Sequence, residues 1–100
     1  MTIIAVTAAT GQLGSEIVNA VVDIVGRENL VGLARTPSNA ESLGIEIRPG
    51  DYESPQDLQR SLESVGSVLL VSGMAAPDRR VTQHRNVIQA ASRAGVSKIV

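Results

Sequence analysis

The sequence contains no cysteine, tryptophan or phenylalanine, and Tyr52 is its one aromatic residue. Without cysteine there is no disulfide, no thiol nucleophile and no zinc–thiolate centre, a composition suited to a reducing compartment. Without other aromatics, a core has to be assembled from Val, Ile, Leu and Ala. Charge of one sign is not in excess, since nine Lys and Arg stand against ten Asp and Glu. That balance gives no basic footprint for nucleic acid, so none is expected as a partner. No apolar run approaches the roughly 20 residues that a bilayer span needs, so no membrane association is expected. The first residues lack the basic start of a secretory leader, and a cytoplasmic location is the expectation. His84 is the single histidine, and no second ligand at metal spacing accompanies it. No metal is expected, and a packing or surface role on a helix is favoured over catalysis.

The residues that are present alternate between two periods. "TIIAVT" (2–7) is a short β-branched run that reads as a buried strand. From Leu13 the period becomes helical, with Leu13, Ile17, Ala20, Val21, Ile24 and Val25 assigned to one face and Gly26 as the stop. "LVGLA" (30–34) reads as a second strand, residues 37–43 as a short helix ending at Gly44, and 45–48 as a third strand. Ser54 followed by Pro55 marks a helix start, with Ser54 as N-cap and Leu58, Leu62 and Val65 as the apolar stripe. "SVLLVS" (67–72) is the fourth strand. Asp78 is expected to cap a helix over 79–94, with Val81, Val87, Ile88 and Ala91 buried and Gly95 as its end. "VSKIV" begins a fifth strand. Strands without alternation, joined by helices, imply an α/β doubly wound parallel sheet. The strand order 3-2-1-4-5 would place a crevice between strands one and four. Residues 1–100 thus read as one domain. Because the sequence stops inside an apparent strand, it is expected to be the N-terminal part of a longer chain.

The loop "TAATGQLGSE" lies between the first strand and the first helix. A parallel strand that passes through small residues into a helix builds an anion site, because the first helical amides lack partners and the dipole favours negative charge. Thr10 offers a hydroxyl and Gly11 permits close approach or positive φ. Gln12 and Leu13 lend backbone N–H groups and a wall, and Gly14 lets the helix pack on the sheet. At the end of the second strand, where a dinucleotide fold often carries an acid for the ribose hydroxyls, the sequence has Arg35. A guanidinium favours a 2′-phosphate, hence NADP over NAD; the alternative is a solvated surface arginine. After the third strand, Asp51 could meet the adenine amino group and Tyr52 could pack beside the ring, or the two simply follow a Pro-Gly turn. Ser72, Gly73 and Met74 after the fourth strand would line the crevice beside the nicotinamide ribose.

"VTAATGQLGSEIV", "LARTP", "GDYESPQDLQRSLESV" and "QHRNVIQAASRAGVSKIV" together resemble the NmrA-like atypical short-chain dehydrogenase/reductase family. Within it they resemble the NADPH-dependent quinone oxidoreductases of type 2. The resemblance implies an NAD(P)-binding Rossmann domain followed by a smaller substrate lobe. Thr10, Gly11, Gln12, Leu13 and Gly14 carry over as cofactor contacts, and Arg35 as the contact to the adenosine phosphate. It further implies an NADPH-dependent oxidoreductase passing hydride to a quinone or similar carbonyl acceptor. The partner would be a small molecule, with a homodimer as one option for assembly. Two alternatives stay open: a non-catalytic NAD(P)-sensing regulator and a relative of nucleotide-sugar epimerases or reductases. The Tyr-x-x-x-Lys pair of typical short-chain dehydrogenases has no counterpart here, so the catalytic residues are unknown. The sequence departs from the family at Ala8, where glycine is usual. A methyl group there would crowd the turn or the approaching pyrophosphate.

Overall fold

A computed structural model describes residues 3–9, 11–35, 44–71 and 77–100, with the side chains of 77 and 78 excepted. Its elements are β1 (Ile4–Val6), α1 (Gln12–Val25), a 3-10 turn (Arg27–Asn29), β2 (Leu30–Ala34), β3 (Glu46–Pro49), α2 (Pro55–Ser61), β4 (Ser67–Leu69), α3 (Pro77–Ala94) and β5 (Lys98–Ile99). All four strand pairings are parallel, and the order is β3-β2-β1-β4-β5. This is the doubly wound, Rossmann-like sheet that the sequence implies. The short helix expected over 37–43 lies outside the described residues.

The central strands β1, β2 and β4 are covered on both faces, which is why they read as unbroken apolar runs, whereas the edge strands β3 and β5 keep exposed residues. On one face Ala5, Val31, Leu33 and Val68 pack with Leu58, Leu62 and Val65 of the α2 region and with Val87, Ala90 and Ala91 of α3. On the other, Val6, Leu30 and Val71 pack with Ala9 and with Val18 of α1. Neighbouring residues of β1 and β2 therefore go to opposite cores, as period-two geometry requires.

Several expected details shift. The inward face of α1 consists of Gly14, Ile17, Val18, Val21, Val22 and Val25. Leu13 is 58% exposed and Ile24 81% exposed, and Ala20 is also outside the core. The helix is rotated because Gly14 is pressed against the backbone of Ala8 and Ala9. That contact fixes which stripe meets the sheet. On α3, Val87, Ala90 and Ala91 are buried while Val81 and Ile88 are exposed, since only the 87–90–91 stripe faces the sheet-side core. α3 also begins at Pro77, so Asp78 lies inside its first turn and does not precede it; proline is suited to the first helical position. Ser54 occupies the N-cap of α2, but its side chain makes no capping bond. β3 is displaced by one residue, to Glu46–Pro49.

β1 and β4 are shorter than their apolar runs. After Val6 the chain turns, so beyond Leu69 the last strand-four residues lose their β1 neighbour, while Leu70 N–H still donates to Val100 O on the other side at 2.9 Å. Thr7 takes over: its N–H donates to the Leu69 carbonyl at 3.1 Å. Its hydroxyl accepts the Val71 N–H at 2.8 Å. A side chain thus continues the ladder where backbone pairing ends.

Candidate functional site

The carboxyl ends of β1, β2 and β3 lie side by side, and each releases a segment expected to meet a ligand. At β1 the turn is closed by Ala9 N–H donating to Leu33 O at 3.0 Å and Gly11 N–H donating to Ala8 O at 3.0 Å. Gly11 is the N-cap of α1, with extended φ −73° and ψ 168°. Its expected freedom to take a positive φ is therefore unused. Among the described residues of the turn, the left-handed one is Ala8, at φ 52°. Its side chain packs against the α1-side core, so the departure from glycine shows up as backbone strain.

The first intrahelical bond of α1 runs from Ser15 N–H to Gly11 O at 2.9 Å. The amides of Gln12, Leu13 and Gly14 therefore have no intrahelical acceptor. The first turn holds no acidic residue, and Gly11, Gln12 and Leu13 are all exposed. The positive end of the helix is thus open to an anion. Gly14 has a different task. A Cβ there would lie 2.0 Å from the Ala8 carbonyl oxygen, so only glycine lets the helix start sit this close to the strand end.

Arg35 follows β2 and is exposed. β3 leaves the sheet beside it, with Gly50 N–H donating to Ala34 O at 2.9 Å. The chain then forms a turn in which Asp51 Oδ1 accepts the Glu53 N–H at 2.9 Å and Asp51 O accepts the Ser54 N–H at 3.0 Å. Tyr52, in this turn, points back into the fold. Its hydroxyl lies 2.8 Å from Thr7 Oγ1 and donates to the Val71 carbonyl. The ring packs against the core shared by α2 and α3. Burial pushes the phenol above its ordinary value, with the Thr7 contact partly offsetting it. One side chain therefore ties the β3–α2 turn to the ends of β1 and β4.

Two contacts from α3 hold the same turn. Asn86 Nδ2 donates to Tyr52 O at 2.8 Å. Arg79 grips Glu53 with Nε at 2.7 Å and Nη2 at 3.0 Å from its two carboxylate oxygens. That hydrogen-bonded guanidinium, with the charge of Arg35 assisting, holds the Glu53 carboxyl below its usual range. Thr7, Glu53, Arg79 and Asn86 are absent from the sequence-based site. A threonine ending an apolar strand is the one local hint, because the partners of these groups lie 26 to 64 residues away.

Gly11, Gln12, Leu13, Gly14, Arg35, Asp51 and Tyr52 thus occupy the carboxyl edge of the sheet. Thr10, Ser72, Gly73 and Met74 lie outside the described residues. Among the described residues, no group of three or more His, Asp or Glu side chains is arranged for a metal, and no helix is long and apolar enough to cross a membrane.

Residues 8–100 match the family model described as NAD(P)H-binding. Quinone oxidoreductase 2 of Escherichia coli K12 is 39% identical over 99 residues, 96% of this chain and 34% of the relative. An NmrA-like family domain-containing oxidoreductase of Aspergillus flavus, flvB, is 33% identical, over 94% of this chain and 33% of the relative. Among solved structures, the triphenylmethane reductase of Citrobacter sp. complexed with NADP(H) superposes with a TM-score of 0.91 at 37% identity, covering 97% of this chain and 35% of that one. The chain therefore spans about a third of the length of the relatives it matches. The NmrA-like resemblance read from the motifs agrees with these relatives, and the chain belongs to the NAD(P)H-binding family.

Proposed function

We propose that the chain is the cofactor-binding part of an NADPH-dependent oxidoreductase that delivers hydride to a quinone or a similar carbonyl acceptor. The observation that carries this reading is the pairing of an open, acid-free helix start at α1 with a cation, Arg35, at the end of the neighbouring β2. The amides of Gln12, Leu13 and Gly14 hold the diphosphate, with the Thr10 hydroxyl beside it. The exposed Leu13 side chain supplies an apolar wall. Arg35 takes the 2′-phosphate through charge-assisted bonds. Asp51 meets the adenine amino group, while Tyr52, expected beside the adenine ring, turns its side chain into the core instead and serves to anchor the Asp51 turn. Ser72, Gly73 and Met74 flank the nicotinamide ribose. The coenzyme supplies the hydride; the protein binds and orients it and excludes water. Similarity to a quinone oxidoreductase and to a triphenylmethane reductase complexed with NADP(H) supports the reductase reading, the first of them the quinone acceptor.

Arg35→Ala tests the cofactor preference. NADPH affinity should fall by about 1.5–3 kcal/mol, the scale of a hydrogen bond to a charged group, while NADH affinity hardly changes in calorimetric titration. Equal losses for both would overturn the assignment to the 2′-phosphate. For the reaction, NADPH oxidation followed against a panel of quinones should show turnover. Tight binding without consumption would overturn the reductase reading in favour of a sensor.

A further inference from the structure

The adenosine end of this site has a second layer of charge. Arg35 and the segment after β3 leave the sheet as neighbours, since Ala34 pairs with Pro49 and Gly50 N–H reaches Ala34 O. Glu53 stands three residues beyond Gly50, in a turn fastened by Asp51 and by Asn86. Arg79 fixes its carboxylate with two bonds. Four charged groups therefore share this edge: Arg35, Asp51, Glu53 and Arg79, formally neutral in sum. Asp51 accepts the Glu53 N–H at the turn, whereas Glu53 spends its charge on arginine.

We propose that Glu53 is a specificity-determining residue, whose carboxylate, held by Arg79 on the sheet edge that Arg35 also occupies, sets how much positive charge a 2′-phosphate meets and so the preference between NADP and NAD. This rests on the reading of Arg35 given above. The two carboxylates of this edge offset part of the attraction that Arg35 exerts on a dianionic phosphate. Removing one fixed carboxylate leaves an excess cation, while the uncharged adenosine 2′-hydroxyl of NAD gains nothing from it. The pair is exposed, so the effect is modest and screened by salt.

The test measures NADP⁺ and NAD⁺ affinities of the intact protein by calorimetry at low and high salt. Glu53→Gln should raise the NADP⁺/NAD⁺ affinity ratio roughly threefold to tenfold at low salt, and less at high salt. Arg79→Gln should lower the ratio, which keeps the idea testable if the first variant folds poorly. In the Arg35→Ala background, where no guanidinium anchors the 2′-phosphate, the Glu53→Gln gain should shrink, a coupling that a double-mutant cycle reads directly. An unchanged or reduced ratio in Glu53→Gln, with Arg35→Ala still selectively losing NADP⁺, overturns the role of Glu53 and leaves Arg35 standing. Equal loss of both cofactors in Arg35→Ala overturns the Arg35 reading itself.

Discussion

Ala8 carries the conformational cost of the cofactor turn. At φ 52° its Cβ crowds the following carbonyl, a penalty of about 1–2 kcal/mol for an L-residue. Glycine removes that strain but loses about 0.5–1 kcal/mol through extra freedom in the unfolded chain. Ala8→Gly should therefore stabilise the protein by about 0.5–1 kcal/mol, seen as a higher urea midpoint at unchanged slope. A lower midpoint would show that the methyl's packing on the α1-side core outweighs the backbone strain. The loop's small residues are plain in the sequence. Which of them bends left-handed is not, because that depends on where the Ala8 carbonyl has to point to receive Gly11 N–H and clear Gly14.

At the scale of elements, ends are secured by side chains from elsewhere. The α2 terminus is an example: Arg48 of β3 donates from Nη1 to Ser61 O at 2.9 Å and to Glu63 O at 3.3 Å, while its Nε bonds Glu46. A cation on orphan carbonyls satisfies them and complements the dipole. Arg48→Ala should cost about 1–2 kcal/mol in denaturant unfolding, whereas Glu46→Gln, which breaks only an exposed ion pair, should cost less than about 1 kcal/mol. Comparable losses would mean that the ion pair, not the cap, is what matters. Tyr52 joins three elements through one hydroxyl, and burial raises its pKa. A phenol raised in the folded state holds its proton more tightly there. Its stabilisation is complete below the unfolded value, near 10, and is lost as pH rises through the folded value. Tyr52→Phe should abolish that alkaline loss, and the 295 nm phenolate difference between the two proteins should appear above the ordinary tyrosine range. A step at the ordinary value would contradict the buried placement. Neither link was legible beforehand: a Pro-Gly turn announces itself, but the Thr7 and Val71 partners of its tyrosine are 45 and 19 residues away.

At the scale of the whole molecule, cofactor binding and folding are linked. A ligand that binds only the native state at one hundred times its Kd adds about 2.7 kcal/mol. NADP⁺ at that excess should raise the melting temperature of the intact protein, and Arg35→Ala at the same concentration should give a smaller rise. No shift with either NADP⁺ or NAD⁺ would remove the open helix start as a dinucleotide site. The amino-acid sequence alone determined the architecture: apolar runs without alternation demand a sheet covered on both sides, and helical stripes between them demand crossovers. It also placed a small-residue loop and a basic residue at successive strand ends, which parallel topology brings to one edge. Tertiary structure decided the rotation of α1, the strand lengths, the inward turn of Tyr52 and the grip of Arg79 on Glu53. Each of these depends on atoms distant in the chain meeting at contact range, where a 2.0 Å clash or a single unpaired N–H outweighs any local preference.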